Sequence, residues 1–140
     1  MYSVNINNAI CTQMKIDDNL YELPYRIHTV VALSEFLVFH CFPTIIDSKE
    51  MQSDFESQGR YSLFCINKNT KNQMWKMKNA EAVFAEIPEN KKEIDFISKE
   101  HYLNYMNKFK GKEILSVYIG EFRKIVNVTN GEILSSMEIR

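Results

Sequence analysis

A mainly β, antiparallel fold is predicted for this 140-residue chain, and three observations predict it. Short runs rich in aromatic and β-branched residues, such as Phe36–Phe42 and Ile114–Ile119, alternate with brief polar turns. The same hairpin pattern occurs twice, sixty positions apart: Leu63-Phe64-Cys65-Ile66-Asn67 leading to Met74–Met77, and Ile125-Val126-Asn127 leading to Leu134–Met137. Only one stretch, Glu93–Lys110, has helical spacing. Sequential hairpins form meanders, because strands adjacent in sequence usually pair. The expectation is one domain over residues 1–140, an antiparallel meander of hairpins in propeller-blade-like or sandwich-like sheets with at most one short helix.

The elements follow in order. Residues 1–20 are polar, with one strand expected around Val4–Ile10 and a turn at Asp17-Asp18-Asn19. Leu23-Pro24-Tyr25 leads into Arg26–Leu33, where both alternating sets are largely apolar, as in a strand buried on two faces. Ser34-Glu35 turns the chain into the return strand Phe36–Phe42, which Pro43 ends for want of a ladder N–H. Thr44–Gly59 is a polar, acidic connection with room for a helical turn. The first copy of the repeat comes next, then a strand at Ala80–Ala85 and a loop from Ile87 to Lys92. In Glu93–Lys110 two readings stay open. Ser98 caps a helix carrying Tyr102, Leu103, Met106 and Phe109 and closed by Gly111, or Leu103, Tyr105 and Phe109 alternate on a strand face. Ile114–Ile119, Gly120-Glu121 and Phe122–Val128 form a further hairpin, and the second copy of the repeat follows. Six to nine strands are expected in all.

Composition narrows the function classes. Hydrophobic residues make up 45% and charged residues 25%, as in ordinary globular domains, and the formal net charge is −1. Neither a nucleic-acid-coating nor a membrane-surface protein is implied. Residues 1–60 hold eight acids against four bases, whereas residues 61–140 hold ten against thirteen. The longest apolar run, Val30–Phe42, is interrupted by Ser34, Glu35 and His40 and is too short to span a bilayer. The first residues lack a basic segment followed by an apolar core, so no signal peptide is expected. Cys11, Cys41 and Cys65 are odd in number and lack a C-x-x-C pairing, so a reducing cytoplasm is expected in place of a disulfide framework.

No chemistry stands out. His28 and His40 lie on neighbouring strands with Cys41 beside them, but adjacent strand positions face opposite ways, so His40 and Cys41 cannot serve one site. The carboxylates Glu81, Glu86, Glu89, Glu93 and Asp95 read as a solvated edge strand and loop. The four glycines form no phosphate loop, and no zinc-ligand spacing or nucleophile elbow exists. Trp75 reads as a sheet-packing residue, and Lys68, Lys71, Lys76 and Lys78 as a soluble hairpin tip more than a nucleic-acid platform. No enzyme activity, cofactor or metal is expected. A binding protein is the better class.

The two hairpins resemble blades of quinoprotein-type propellers, in which a strand ends in Asp or Asn, a Thr-Gly-like turn follows and the return strand often carries Trp. Two positions depart from that pattern: Lys71 stands where the turn glycine is expected, and Ser135 where a second tryptophan is expected. In order, Leu23-Pro24, Val30–Phe39, Leu63–Met77 and Ile114–Leu134 resemble small bacterial immunity proteins of toxin–immunity systems, including contact-dependent growth inhibition. That resemblance implies a cytoplasmic protein that binds a cognate toxin domain, often a nuclease, and occludes its active site. Its partner would be a protein, with no role for nucleic acid or membrane. Acidic residues that mimic phosphate, around an apolar anchor, suit such an inhibitor. The richest acidic stretch supplies Asp47, Glu50, Asp54 and Glu56, with Phe55 as the anchor, and these five are the expected partner-binding residues.

Overall fold

Asp17 and Asp18 both take positive φ, 47° and 67°, and so fold β2 (Gln13–Ile16) tightly back on β3 (Asn19–Glu22). Two consecutive left-handed residues match the right-handed twist of a hairpin, and Asp tolerates that conformation. Together with β1 (Tyr2–Val4) these strands form a three-stranded sheet in the order β1-β2-β3. This computed structural model describes residues 2–4, 12–23, 25–41, 53, 56–57 and 59–139.

Two four-stranded meanders follow. The second sheet runs β4 (Ile27–Ala32), β5 (Phe36–Cys41), β6 (Tyr61–Asn67) and β7 (Gln73–Lys78). The third runs β8 (Ala82–Glu86), β9 (Ile114–Ile119), β10 (Phe122–Asn127) and β11 (Ile133–Glu138). Every pairing is antiparallel. The mainly β meander expected from the sequence is the fold observed. The described residues hold eleven strands, above the expected six to nine, because the polar N-terminal stretch contributes β2 and β3.

The sheets stack in layers. Leu37, Phe39 and Cys41 of β5 and Phe64 and Ile66 of β6 pack against Met14, Ile16 and Tyr21 of the first sheet. The alternate residues, Phe36, Val38, Leu63 and Cys65, pack against Val83, Leu115, Val117 and Val126 of the third. Strand period two sends neighbours to opposite faces, so β5 is buried along its whole length. Each fully buried large apolar side chain there stabilises the fold by about 1.5–3 kcal/mol. The strand expected to be buried on both faces, β4, is instead a half-exposed edge of its sheet. The order β4-β5-β6-β7 places β5 and β6 in the middle, and β4 outside them.

The sixty-residue repeat is structural. Asn67 Oδ1 accepts the amides of Asn69 and Thr70, and Asn127 Oδ1 accepts that of Thr129. Both pairings slip at the same place, between Cys65 and Ile66 and between Ile125 and Val126. Lys71 and Gly131, equivalent by position, both adopt positive φ, 63° and 75°. Lysine therefore holds the glycine conformation in the first hairpin. In the second it could not: a Cβ on Gly131 would lie 2.7 Å from Cδ2 of Trp75. The Trp75 indole lies over that turn and donates Nε1–H to the Val128 carbonyl at 2.6 Å, fastening the second sheet to the third.

Between β8 and β9 the chain makes two short 3-10 turns, Pro88–Asn90 and Glu93–Asp95, and then helix α1 (Lys99–Phe109). Of the two readings of this stretch, the helix is correct. Ser98 caps it by accepting the His101 amide at 3.2 Å, and Gly111 follows it at positive φ. No helix among the described residues is long and apolar enough to cross a membrane.

Candidate functional site

The outer face of the third sheet is only half covered. Phe109 and Tyr105 of α1 pack over Ile114, Ile125 and Leu134, which closes one half. By strand parity and pairing, Phe84, Ser116, Tyr118, Arg123 and Met137 lie on the same face beyond the helix. There the sheet, α1 and the loop that carries Asp95 and Phe96 enclose an open cleft of about 460 Å³.

Its floor is an ionic network. Arg123 sits opposite Tyr118, and its side chain reaches across β9. Nε donates to Ser116 Oγ at 2.8 Å and Nη2 to Glu86 Oε2 at 2.6 Å. The Tyr105 hydroxyl donates to the same Glu86 oxygen at 2.6 Å, and Lys91 Nζ stands 3.8 Å from it. Glu86 is 7% exposed, so the carboxylate read from the sequence as part of a solvated edge is in fact buried and paired. It ends an edge strand, as expected, but α1 folds back over that end. Burial alone would raise the Glu86 carboxyl. Hydrogen bonds from Tyr105 and Arg123, with the charges of Arg123 and Lys91, outweigh burial and hold it below its ordinary value. Burial and the bond to Glu86 push the Tyr105 phenol upward.

The walls are aromatic. Phe84 and Tyr118 meet edge to face with centroids 5.9 Å apart, and Phe96 packs on Tyr105 at 5.1 Å. Phe84 is 57% exposed and Met137 43%. Beside the cleft, Ile94 and Ile97 are each 87% exposed, which extends the apolar rim. Chemically this is a preorganised surface: rings and a thioether around charges already fixed in place. No known protein family, characterised protein or solved structure matches the chain.

Of the five expected partner-binding residues, the structure describes one. Asp47, Glu50, Asp54 and Phe55 fall outside the described residues, and Glu56 is exposed and helical in the connection between β5 and β6. Glu86, Arg123 and Tyr105, which the structure does bring together, share no motif in the sequence. Their one sequence signal is a charge, Arg123, two positions before Ile125 and so on the same face of β10.

The histidine pair is real but structural in character. The rings of His28 and His40 stand 5.7 Å apart at right angles, with His28 at the irregularity in the β4–β5 pairing. His40 Nε2 bonds the Ala80 carbonyl at 2.7 Å, toward the third sheet, whereas Cys41 packs toward the first. As expected, the two cannot share a site. Burial lowers the His40 imidazole, with His28 adding to the effect against the Ala80 bond, and burial pushes the Cys65 thiol up to about 12. Among the described residues no three His, Cys, Asp or Glu side chains converge as metal ligands.

Proposed function

We propose that this chain is a non-catalytic protein-binding module whose partner is a toxin domain, neutralised by occlusion of its active site. One observation carries the binding reading: the half of the third sheet that α1 leaves open, where exposed Phe84 and Met137 and half-buried Tyr118 surround the Glu86–Arg123–Tyr105 network. Aromatic residues, Met and Arg are the types enriched at protein interfaces, and a rigid first contact lowers the entropic cost of association. The toxin as partner rests on the resemblance of the hairpin order to immunity proteins. The acidic connection, with Glu56 exposed in it, would supply the charge that steers a basic nuclease cleft.

Co-expression with the product of the adjacent gene, followed by affinity purification and a growth test, examines this directly. A stable one-to-one complex and protected growth are expected. Absence of a complex together with unprotected growth would sink the toxin reading.

A second reading has its own support. Ile94 and Ile97 on the rim, and Phe122 and Ile133 at the ends of strands, leave apolar surface suited to a larger β assembly. Sedimentation over a concentration series would show self-association in that case, and a monomer in the first.

A further inference from the structure

We infer that the cleft between α1 and the third sheet is a receptor for one neutral aromatic side chain, Tyr or Trp, presented by the protein partner. The inference deepens the binding reading above and rests on it. A volume of about 460 Å³ lies within the usual range of ligand pockets, about 300–1,000 Å³. Two ring pairs from two layers, Phe84 with Tyr118 and Phe96 with Tyr105, line it, so an entering ring finds edges and faces within stacking range. Met137 adds a thioether, which is favourable against a ring edge.

Charge selects against an ionic guest. Lys91 and Arg123 balance Glu86 and Asp95 around the cleft, and Arg123 is already locked to Glu86. A charged side chain entering would lose hydration without finding an uncommitted counter-charge on the floor. A ring with a hydrogen-bond donor at its edge is matched. Tyr105, Arg123 and Lys91 all address Oε2 of Glu86, and among the described residues Oε1 accepts no hydrogen bond. Since no fully buried side-chain oxygen among the described residues lacks a partner, Oε1 retains solvent access, and as Glu86 lines the cleft it is the acceptor offered to a phenol or an indole N–H.

Blocked amino acids test this without any partner. N-acetyl-tyrosinamide, N-acetyl-tryptophanamide, N-acetyl-argininamide and N-acetyl-leucinamide would each be titrated into the full chain, following the Met137 methyl resonance by NMR. The two aromatic amides should shift it with Kd of about 1–10 mM, the weak range of a fragment-sized guest. Phe84→Ala, and independently Met137→Ala read through the Tyr118 ring signals, should weaken them roughly fivefold. Tighter binding of the arginine amide, equal binding of all four, or no binding would each overturn the inference. Aromatic binding in a chain that captures no toxin would leave the cleft assignment standing and remove the toxin reading alone.

Discussion

Replacing Arg123 with Met removes the guanidinium that bridges Ser116 and Glu86 while keeping a long side chain over β9. Breaking a buried ion pair from one side costs about 3–5 kcal/mol, since the remaining charge stays buried. Glu86 keeps the Tyr105 hydroxyl at 2.6 Å and Lys91 at 3.8 Å, so the expected loss is near the lower end, about 3 kcal/mol. Glu86→Gln together with Arg123→Met should cost less than Arg123→Met alone, by about 1–2 kcal/mol, because no charge is then stranded. The pH dependence gives a sharper test. In the native chain Glu86 lies below its unfolded value, so its contribution is present above a pH of about 4.3 and lost as pH falls through the folded value. Without Arg123, burial dominates and the carboxyl rises above its unfolded value. The Arg123→Met chain then loses stability as pH climbs past about 4.3, and the gap to the native chain narrows on acidification. Urea denaturation at several pH values, read by the fluorescence of the single tryptophan, measures both effects. A gap that stays constant from about pH 7 to pH 4, or a double variant as unstable as the single, would refute the network's role.

Three further outcomes follow from other parts of the stack. Gly131→Ala should cost about 2–4 kcal/mol, combining a left-handed alanine with a clash against a rigid indole. In a Trp75→Ala background the same change should cost only the backbone part, about 1 kcal/mol, and equal costs in both backgrounds would contradict the packing of Trp75 on that turn. His40 is lowered in the fold, so stability should be complete above a pH of about 6.5 and decline below it as the unfolded chain takes up the proton first. In His40→Leu that part of the acid slope should vanish in denaturation curves. Cys41 and Cys65 are fully buried with raised thiols, so Ellman's reagent should label them only at the rate of unfolding, and rapid native labelling of either would place it at the surface.

Which parts of this molecule could be read from its sequence follows from how local their causes are. The Asn67 and Asn127 turns were legible because an Asn side chain bonds amides two and three residues on, within a single sequence window. The burial of β4 and β5 was not. Both runs are apolar, and which one becomes the edge depends on sheet order, a non-local property. Helix α1 balanced against a strand reading until tertiary packing placed Phe109 and Tyr105 on Ile114 and Ile125. The cleft was harder still. Glu86 and Arg123 stand 37 positions apart and Tyr105 lies on a different element, so only the register of three strands and the fold-back of α1 unite them. The acidic connection, by contrast, has its charges close together in the sequence, which is visible without any fold.

The layering bears on where the proposed recognition would take place. The second sheet is covered on both faces, so none of its central side chains can meet a partner. The first sheet sends Met14, Ile16 and Tyr21 inward and shows Lys15, Leu20 and Glu22 outward, where the charges keep that face in water. The third sheet differs from both. Its outward face combines apolar and aromatic side chains with the Glu86–Arg123 pair, and α1 covers one half of it. Exposed apolar surface opposes solubility unless it is used, and here it borders an ion-pair network that costs desolvation to assemble. On the proposed binding reading, a substitution scan that read binding and stability separately would find the two properties divided between Phe84 and Met137 on one side and Leu115, Val117 and Val126 on the other.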